Sequence, residues 1–218
     1  MKTTLLMTAL VAGFSVANAA VLLSTNFTGS GASGAVTWDT QDPAITTVDS
    51  TLNAVGGPFA ILGNESTAND LTINDNLNDD TAKGFEFQFT LASAFQLDQL
   101  LIDTGHLNSV GGDQAFDSDL VLTISGGSLG SPIVKSLNVE YGVPGSAARL
   151  PQLIDLTGES LDAGVYNLQL HMIDSDNGVG GAFATYDNFS LEGSAVPEPS
   201  SAALLGLGSL ALLLRRRS

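Results

Sequence analysis

Carboxylates dominate the residues of this chain that could take part in chemistry. The 218 residues include 23 Asp and Glu against seven Lys and Arg, with two His and no Cys. The absence of thiols excludes thiolate catalysis and thiolate metal sites. His106 and His171 are far apart in the sequence, and no serine stands in a G-x-S-x-G elbow. We therefore predict no catalytic residues, and a protein that is not an enzyme.

Glycoside hydrolysis is the enzymatic alternative that this composition leaves open. It needs two carboxylates about 5–9 Å apart, and so acidic a chain offers many pairs. No particular Glu is marked as the proton donor, so a glycoside hydrolase with paired carboxylates ranks as the second alternative.

Calcium is the metal that the acidic segments favour, because Ca²⁺ takes six to eight oxygen ligands from carboxylates, amides and carbonyls. Three segments are rich in such oxygens: residues 75–80, the group Asp113, Asp117 and Asp119, and residues 174–178. The last segment begins like a calcium loop with Asp174 and Asp176, but it lacks the later ligand positions of an EF-hand. A structural calcium ion is thus the one cofactor that we predict, and a solvated acidic turn is the alternative for each segment.

Aromatic side chains are the other group that could bind a ligand, by stacking on sugar rings. The chain has ten Phe, three Tyr and one Trp, and most Phe fall at alternating positions typical of a buried face. This leaves Trp38, Tyr141 and Tyr186 as candidates for stacking, with a structural role in the core as the plainer interpretation of Trp38. A carbohydrate-binding module for exopolysaccharide is therefore the first alternative function.

Strands must position all of these side chains. Short runs of alternating apolar and polar residues, punctuated by Gly, Asn, Asp and Ser, fill residues 20–195. The clearest run is Gly84 to Leu91, and residues 95–103 follow it either through a hairpin or as one bent strand. Nearer the N-terminus, residues 35–38 are also expected to form a strand. The pattern predicts about nine to eleven strands and an all-β fold, an antiparallel two-sheet sandwich resembling a jelly roll. It places His106 in a loop and His171 toward solvent or a neighbouring strand.

The N-terminal segment has the features of a secretory signal peptide. Lys2 precedes an apolar run from Leu5 to Ala17, and Ala17-Asn18-Ala19 forms a small-x-small cleavage site before Ala20. We predict a signal helix over residues 1–19, with Ala17, Ala19 and Ala20 at the cleavage point. The domain that follows, residues 20–195, has 22 carboxylates and three basic residues, so we expect no nucleic-acid partner.

The C-terminal segment, residues 196–218, combines a proline-rich stretch, an apolar run and a basic cluster. The apolar run from Ala202 to Leu214 would make a helix of about 20 Å, shorter than the ~30 Å hydrocarbon core of a bilayer. Basic residues after such a run orient the C-terminus to the cytoplasm. The residues that define the flanks are Val196, Pro197, Glu198, Pro199, Arg215, Arg216 and Arg217.

This order of elements resembles the PEP-CTERM sorting domain of exopolysaccharide-producing Gram-negative bacteria. The resemblance implies export, processing by an exosortase-type enzyme, and a precursor anchored in the inner membrane before release to the cell surface or the extracellular space. More weakly, the run from Leu161 to Leu168 and the last strand are similar to the closing strands of secreted jelly-roll and carbohydrate-binding-like domains. That second resemblance implies a structural calcium site near the last strand, with Asp187 as a further candidate ligand.

Together these features predict an exported β-sandwich of the cell surface or extracellular matrix, sorted by its tail and without catalytic activity. Extracellular polysaccharide is the expected partner outside the cell, and the membrane is the expected partner of the C-terminal segment before processing.

Overall fold

A computed structural model describes residues 19–27, 33–60, 71–73, 82–107, 116–141, 150–174 and 183–196. These residues form strands and turns and contain no α-helix. The predicted signal helix and the predicted C-terminal helix lie outside the described residues.

Fourteen strands are present in the described part of the chain, where nine to eleven were predicted. In chain order they are β1 (Ala20–Thr25), β2 (Thr40–Gln41), β3 (Ile45–Val48), β4 (Asn53–Val55), β5 (Phe59–Ala60), β6 (Leu71–Ile73), β7 (Lys83–Leu91), β8 (Phe95–Leu107), β9 (Phe116–Gly126), β10 (Ile133–Tyr141), β11 (Leu150–Asp155), β12 (Ser160–Leu161), β13 (Gly164–Asp174) and β14 (Phe183–Ala195). The additional strands are short pieces of two to four residues, too short to give a clear alternation.

The strands form two antiparallel sheets. One follows the order β11-β8-β14-β1-β2, with β5, β6 and β12 attached, and the other follows β10-β9-β13-β7-β3, with β4 attached. Eight strands have six residues or more. In chain order they are β1, β7, β8, β9, β10, β11, β13 and β14, and we number them one to eight. Neighbours in one sheet are strands 1, 8, 3 and 6 of this series, and neighbours in the other are strands 2, 7, 4 and 5. This is the strand order of a jelly roll, so the predicted all-β sandwich is confirmed.

The core lies between the two sheets and is built by the alternation seen in the sequence. Phe85, Phe87 and Phe89 of β7 are fully buried, and so are Leu168 and Leu170 of β13. Strands β7 and β13 pair antiparallel, with Leu168 opposite Phe87 and Leu170 opposite Phe85. Phe rings of one sheet contact the other directly, since the Phe87 and Phe189 ring centroids are 5.8 Å apart. Each inner face therefore carries the apolar residues of every second position.

Two local predictions were wrong. Strands β7 and β8 form neither a hairpin nor one bent strand, because they belong to different sheets and residues 92–94 cross between them. Residues 35–38 do not form a strand, since only Ala35 makes an isolated bridge, to Thr51. Both errors involve pairing partners distant in the sequence, which local alternation does not specify.

The two ends of the sandwich differ. We call one the turn end, where residues 92–94, 127–132 and 156–163 make the short connections between strands. The opposite end is the loop end, where β8 ends at Leu107 and β9 begins at Phe116. There β13 also ends, at Asp174, and β14 begins, at Phe183.

Candidate functional site

Both histidines lie in strands. This contradicts the loop predicted for His106, whereas His171 was expected in a strand, facing solvent or a neighbouring strand. His106 is in β8 with 3% of its surface exposed, and His171 is in β13 with 9% exposed. Desolvation by burial lowers the pKa of His106 well below its usual value, and it lowers the pKa of His171 in the same direction. Near neutral pH both imidazoles are therefore mostly neutral. His171 alternates in β13 with the buried Leu170 and Met172, so it lies on the opposite face of that strand from the core.

Tyr186 is not available for ligand stacking, because it is a core residue. Its side chain is fully buried on the inner face of β14, and its ring meets Phe85 edge to face with centroids 5.3 Å apart. The Tyr186 hydroxyl donates a hydrogen bond to the backbone carbonyl of Lys83. A buried phenol with a satisfied hydroxyl is typical of a structural tyrosine.

Trp38 sits at the margin of the same core. Its ring centroid lies 4.9 Å from that of Phe87 and 6.1 Å from that of Phe189. The indole Nε1–H donates to the carbonyl oxygen of Asp49 at 2.8 Å. These contacts hold the half-buried ring against the sandwich. The backbone of Tyr141, the third predicted stacking residue, pairs with Phe116, and its side chain lies outside the described residues.

Lys83 is a buried residue that the sequence pattern did not identify. It lies two positions before Phe85, so it shares the inner face of β7, and none of its surface is exposed. Its Nζ donates to the carbonyl oxygen of Gly56 at 2.9 Å. A buried ammonium group requires such acceptors, because its desolvation is costly. The alternation of Lys83 with Phe85 and Phe87 could have indicated its burial, but its charge favoured a solvent-facing side chain.

The two predicted calcium ligands that the structure describes, Asp174 and Asp187, lie in strands of different sheets. Asp174 is the last residue of β13, where its backbone pairs with Ser118, and Asp176 lies outside the described residues. Asp187 is in β14, which belongs to the other sheet. Among the residues that the structure describes, no three His, Asp or Glu side chains form a cluster able to hold a metal ion. The calcium site stays a prediction.

Asp187 belongs to a β-bulge with its own hydrogen bonds. It pairs in register with Asp103 of β8, and the register shifts between Asp187 and Ser190. Asn188 adopts a left-handed conformation with φ of 48°, and its N–H donates to Asp187 Oδ1 at 2.7 Å. Its side-chain amide donates to Asp103 Oδ2 at 2.8 Å. Donors from Asn188 thus compensate two facing carboxylates that would otherwise repel each other.

The junction with the C-terminal segment is the best-defined functional feature of the described chain. Strand β14 lies between β8 and β1 and remains paired up to its last residue, Ala195, opposite Phe95. Beyond it, the N–H of Val196 donates to the carbonyl oxygen of Ala94 at 2.9 Å. The sandwich therefore extends to Val196, immediately before Pro197. No helix within the described ranges is long and apolar enough to cross a membrane.

Comparisons with known proteins give a loose structural likeness and one sequence motif. No curated protein matches the chain. The solved structure of TmCBM61 in complex with β-1,4-galactotriose has 12% identity and a TM-score of 0.37, covering 67% of this chain and 88% of its own. The family 32 carbohydrate-binding module of C. perfringens NanJ, solved with galactose, has 15% identity and a TM-score of 0.35, covering 78% and 98%. Residues 195–217 match the PEP-CTERM protein-sorting motif, so this chain carries a sorting tail directly behind its last strand.

Proposed function

We propose that this chain is a non-catalytic β-sandwich protein that is exported and then delivered to the cell surface or extracellular matrix by its C-terminal tail. The observation that carries the proposal is the position of the sorting motif. The motif begins at Ala195, which is the last residue of β14. A complete jelly-roll sandwich is thus joined to a sorting segment without an intervening domain.

The same proposal includes a stage in which the precursor is held in the inner membrane and then processed by an exosortase-type enzyme. The apolar run Ala202 to Leu214, followed by three arginines, supports the membrane-held stage because basic residues favour the cytoplasmic side. The run is short for a permanent anchor, which is consistent with later removal of the tail.

Extracellular polysaccharide enters the proposal as the surroundings of the protein, and binding of such a polysaccharide is a second candidate function. Of the aromatic side chains whose burial the structure describes, none is more than partly exposed: Trp38 is half-buried and Tyr186 is fully buried. Polar strand residues and backbone groups would therefore make the contacts with a neutral polymer. An exported domain with 22 carboxylates also repels other anionic chains.

The test is the location of the full chain in a Gram-negative host that contains an exosortase-type enzyme. Substituting the motif as P197A/E198A/P199A should retain most of the protein in the membrane fraction. The matched control is S200A/S201A, which changes neighbouring tail residues outside the Pro-Glu-Pro stretch. Wild type and control should both reach the surface or the medium.

The proposal fails if the P197A/E198A/P199A variant reaches the surface or the medium as completely as wild type. It also fails if the wild-type chain stays inside the cell in a host whose other tail-bearing proteins are exported normally.

A further inference from the structure

The two ends of the sandwich chain leave the domain side by side. Strand β1 begins at Ala20, which is in register with Gly193 of β14, two residues before β14 ends. Neighbouring strands are about 4.8 Å apart. The predicted signal segment and the sorting tail therefore join the domain at adjacent points, and both points are at the turn end.

The tail is fixed to the turn end up to its first residues. Ala195 is paired with Phe95, and the N–H of Val196 is bonded to the carbonyl oxygen of Ala94, in the connection between β7 and β8. From Val196 to the start of the apolar run at Ala202 there are six residue steps, which span at most about 21 Å. Pro197 and Pro199 each fix φ, which further limits the conformations of this tether.

The loop end is separated from the turn end by the whole length of the strands. Strand β13 begins at Gly164, beside Leu91 at the turn end, and has 11 residues. At about 3.3 Å per residue, it extends about 36 Å toward the loop end. The tether is thus shorter than the sandwich that it holds.

We infer that the membrane-held precursor has a fixed orientation, with its turn end against the lipid surface and its loop end directed away from the membrane. This inference rests on the proposed membrane-held stage. Because the tether is short and leaves from the turn end, a sandwich lying loop end down would require more chain than the tail provides. The strand ends Leu107, Phe116, Asp174 and Phe183 then face the surroundings into which the protein is delivered.

The tether, and not electrostatic attraction, produces this orientation. Near the turn end, Lys135 is paired with Glu159 at 2.7 Å, while the side chains of Asp155 and Asp162 are exposed. Such a surface has no excess of basic groups to attract anionic lipid. The orientation should therefore be the same on neutral vesicles and on vesicles with anionic lipid.

Two single-cysteine variants of the full chain test the orientation, since the natural chain has no cysteine to compete for the label. Gly130→Cys marks the turn end at an exposed position where an added Cβ has no atom within 4 Å. Leu150→Cys marks the loop end at a residue that is 37% exposed. Each variant is labelled with a fluorescent donor and reconstituted into phosphatidylcholine vesicles that carry an energy acceptor on a fraction of the lipid headgroups.

Energy transfer should be several-fold greater from position 130 than from position 150. A matched pair of variants carries 20 Gly and Ser residues inserted between Val196 and Pro197, which adds about 25 Å of flexible reach. In that pair the difference should largely disappear. Equal transfer from both positions with the natural tether would overturn the orientation but leave the membrane-held stage intact. No transfer from either position would overturn both.

Discussion

Replacing Phe87 by alanine tests whether the phenylalanines of β7 form the centre of the sandwich core. The Phe87 ring is fully buried and meets rings from several elements: its centroid is 4.9 Å from that of Trp38 and 5.8 Å from that of Phe189. Truncation of a buried Phe to Ala typically lowers the free energy of unfolding by about 3–5 kcal/mol, which includes the cost of the cavity left behind. This is a large share of the ~5–15 kcal/mol that stabilises an ordinary domain.

The assays are urea unfolding and thermal unfolding of the domain, residues 20–196, both monitored by tryptophan fluorescence. Trp38 is the single tryptophan of the chain and contacts Phe87, so its emission reports on this part of the core. For a domain of this size we expect the Phe87→Ala melting temperature to fall by roughly 6–20 °C. The matched control is Val165→Thr, which keeps a β-branched residue at a position that is 47% exposed and should change stability by less than about 0.5 kcal/mol. A loss below about 1 kcal/mol in Phe87→Ala would refute the assigned core.

Three further predictions follow from particular contacts. Gly84→Ala should destabilise the domain by about 1–3 kcal/mol in urea unfolding, because the new Cβ would lie 1.9 Å from the Leu170 carbonyl oxygen, whereas Gly130→Ala should be neutral. Burial holds the pKa of His106 below the 6.5 of the unfolded chain, so the contribution of neutral His106 to stability should be complete above pH 6.5 and fall as the pH decreases below it. The free energy of unfolding should therefore be lower at pH 5.5 than at pH 7.5, and this difference should be smaller in His106→Gln. A difference that is the same in both proteins would contradict the assignment. If the predicted calcium site exists, millimolar Ca²⁺ should raise the melting temperature relative to excess chelator, and Asp187→Asn should reduce that shift, whereas identical melting curves would exclude the site.

Local alternation in the sequence was sufficient to predict the strands with one buried face. The Phe positions of β7 and the Tyr166 to Met172 series of β13 are buried as their spacing indicates. Lys83 lies on the same face of β7 as these Phe residues, but a charged residue is expected to face solvent. Its burial depends on an acceptor, the carbonyl oxygen of Gly56, that is distant in the sequence. A pattern of residue types does not reveal such a partner.

Sheet membership and exposure of the aromatic residues could not be predicted from local pattern. The three residues between β7 and β8 are as few as in a hairpin, and only the distant partners β13 and β14 assign the two strands to different sheets. Tyr186 alternates with polar neighbours in the sequence and was assigned to ligand stacking. Its burial follows from the facing sheet, since Phe85 packs against its ring. The tail was predictable, because its motif is local and contiguous.

Sorting by the tail is the central claim, and the intact mass of the mature protein tests it most directly. The protein would be purified from the surface or the medium of a host with an exosortase-type enzyme. We predict an N-terminus at Ala20 and a C-terminus that lacks the segment with Arg215, Arg216 and Arg217. A mature protein that is delivered to the surface with residues 196–218 intact would contradict the account.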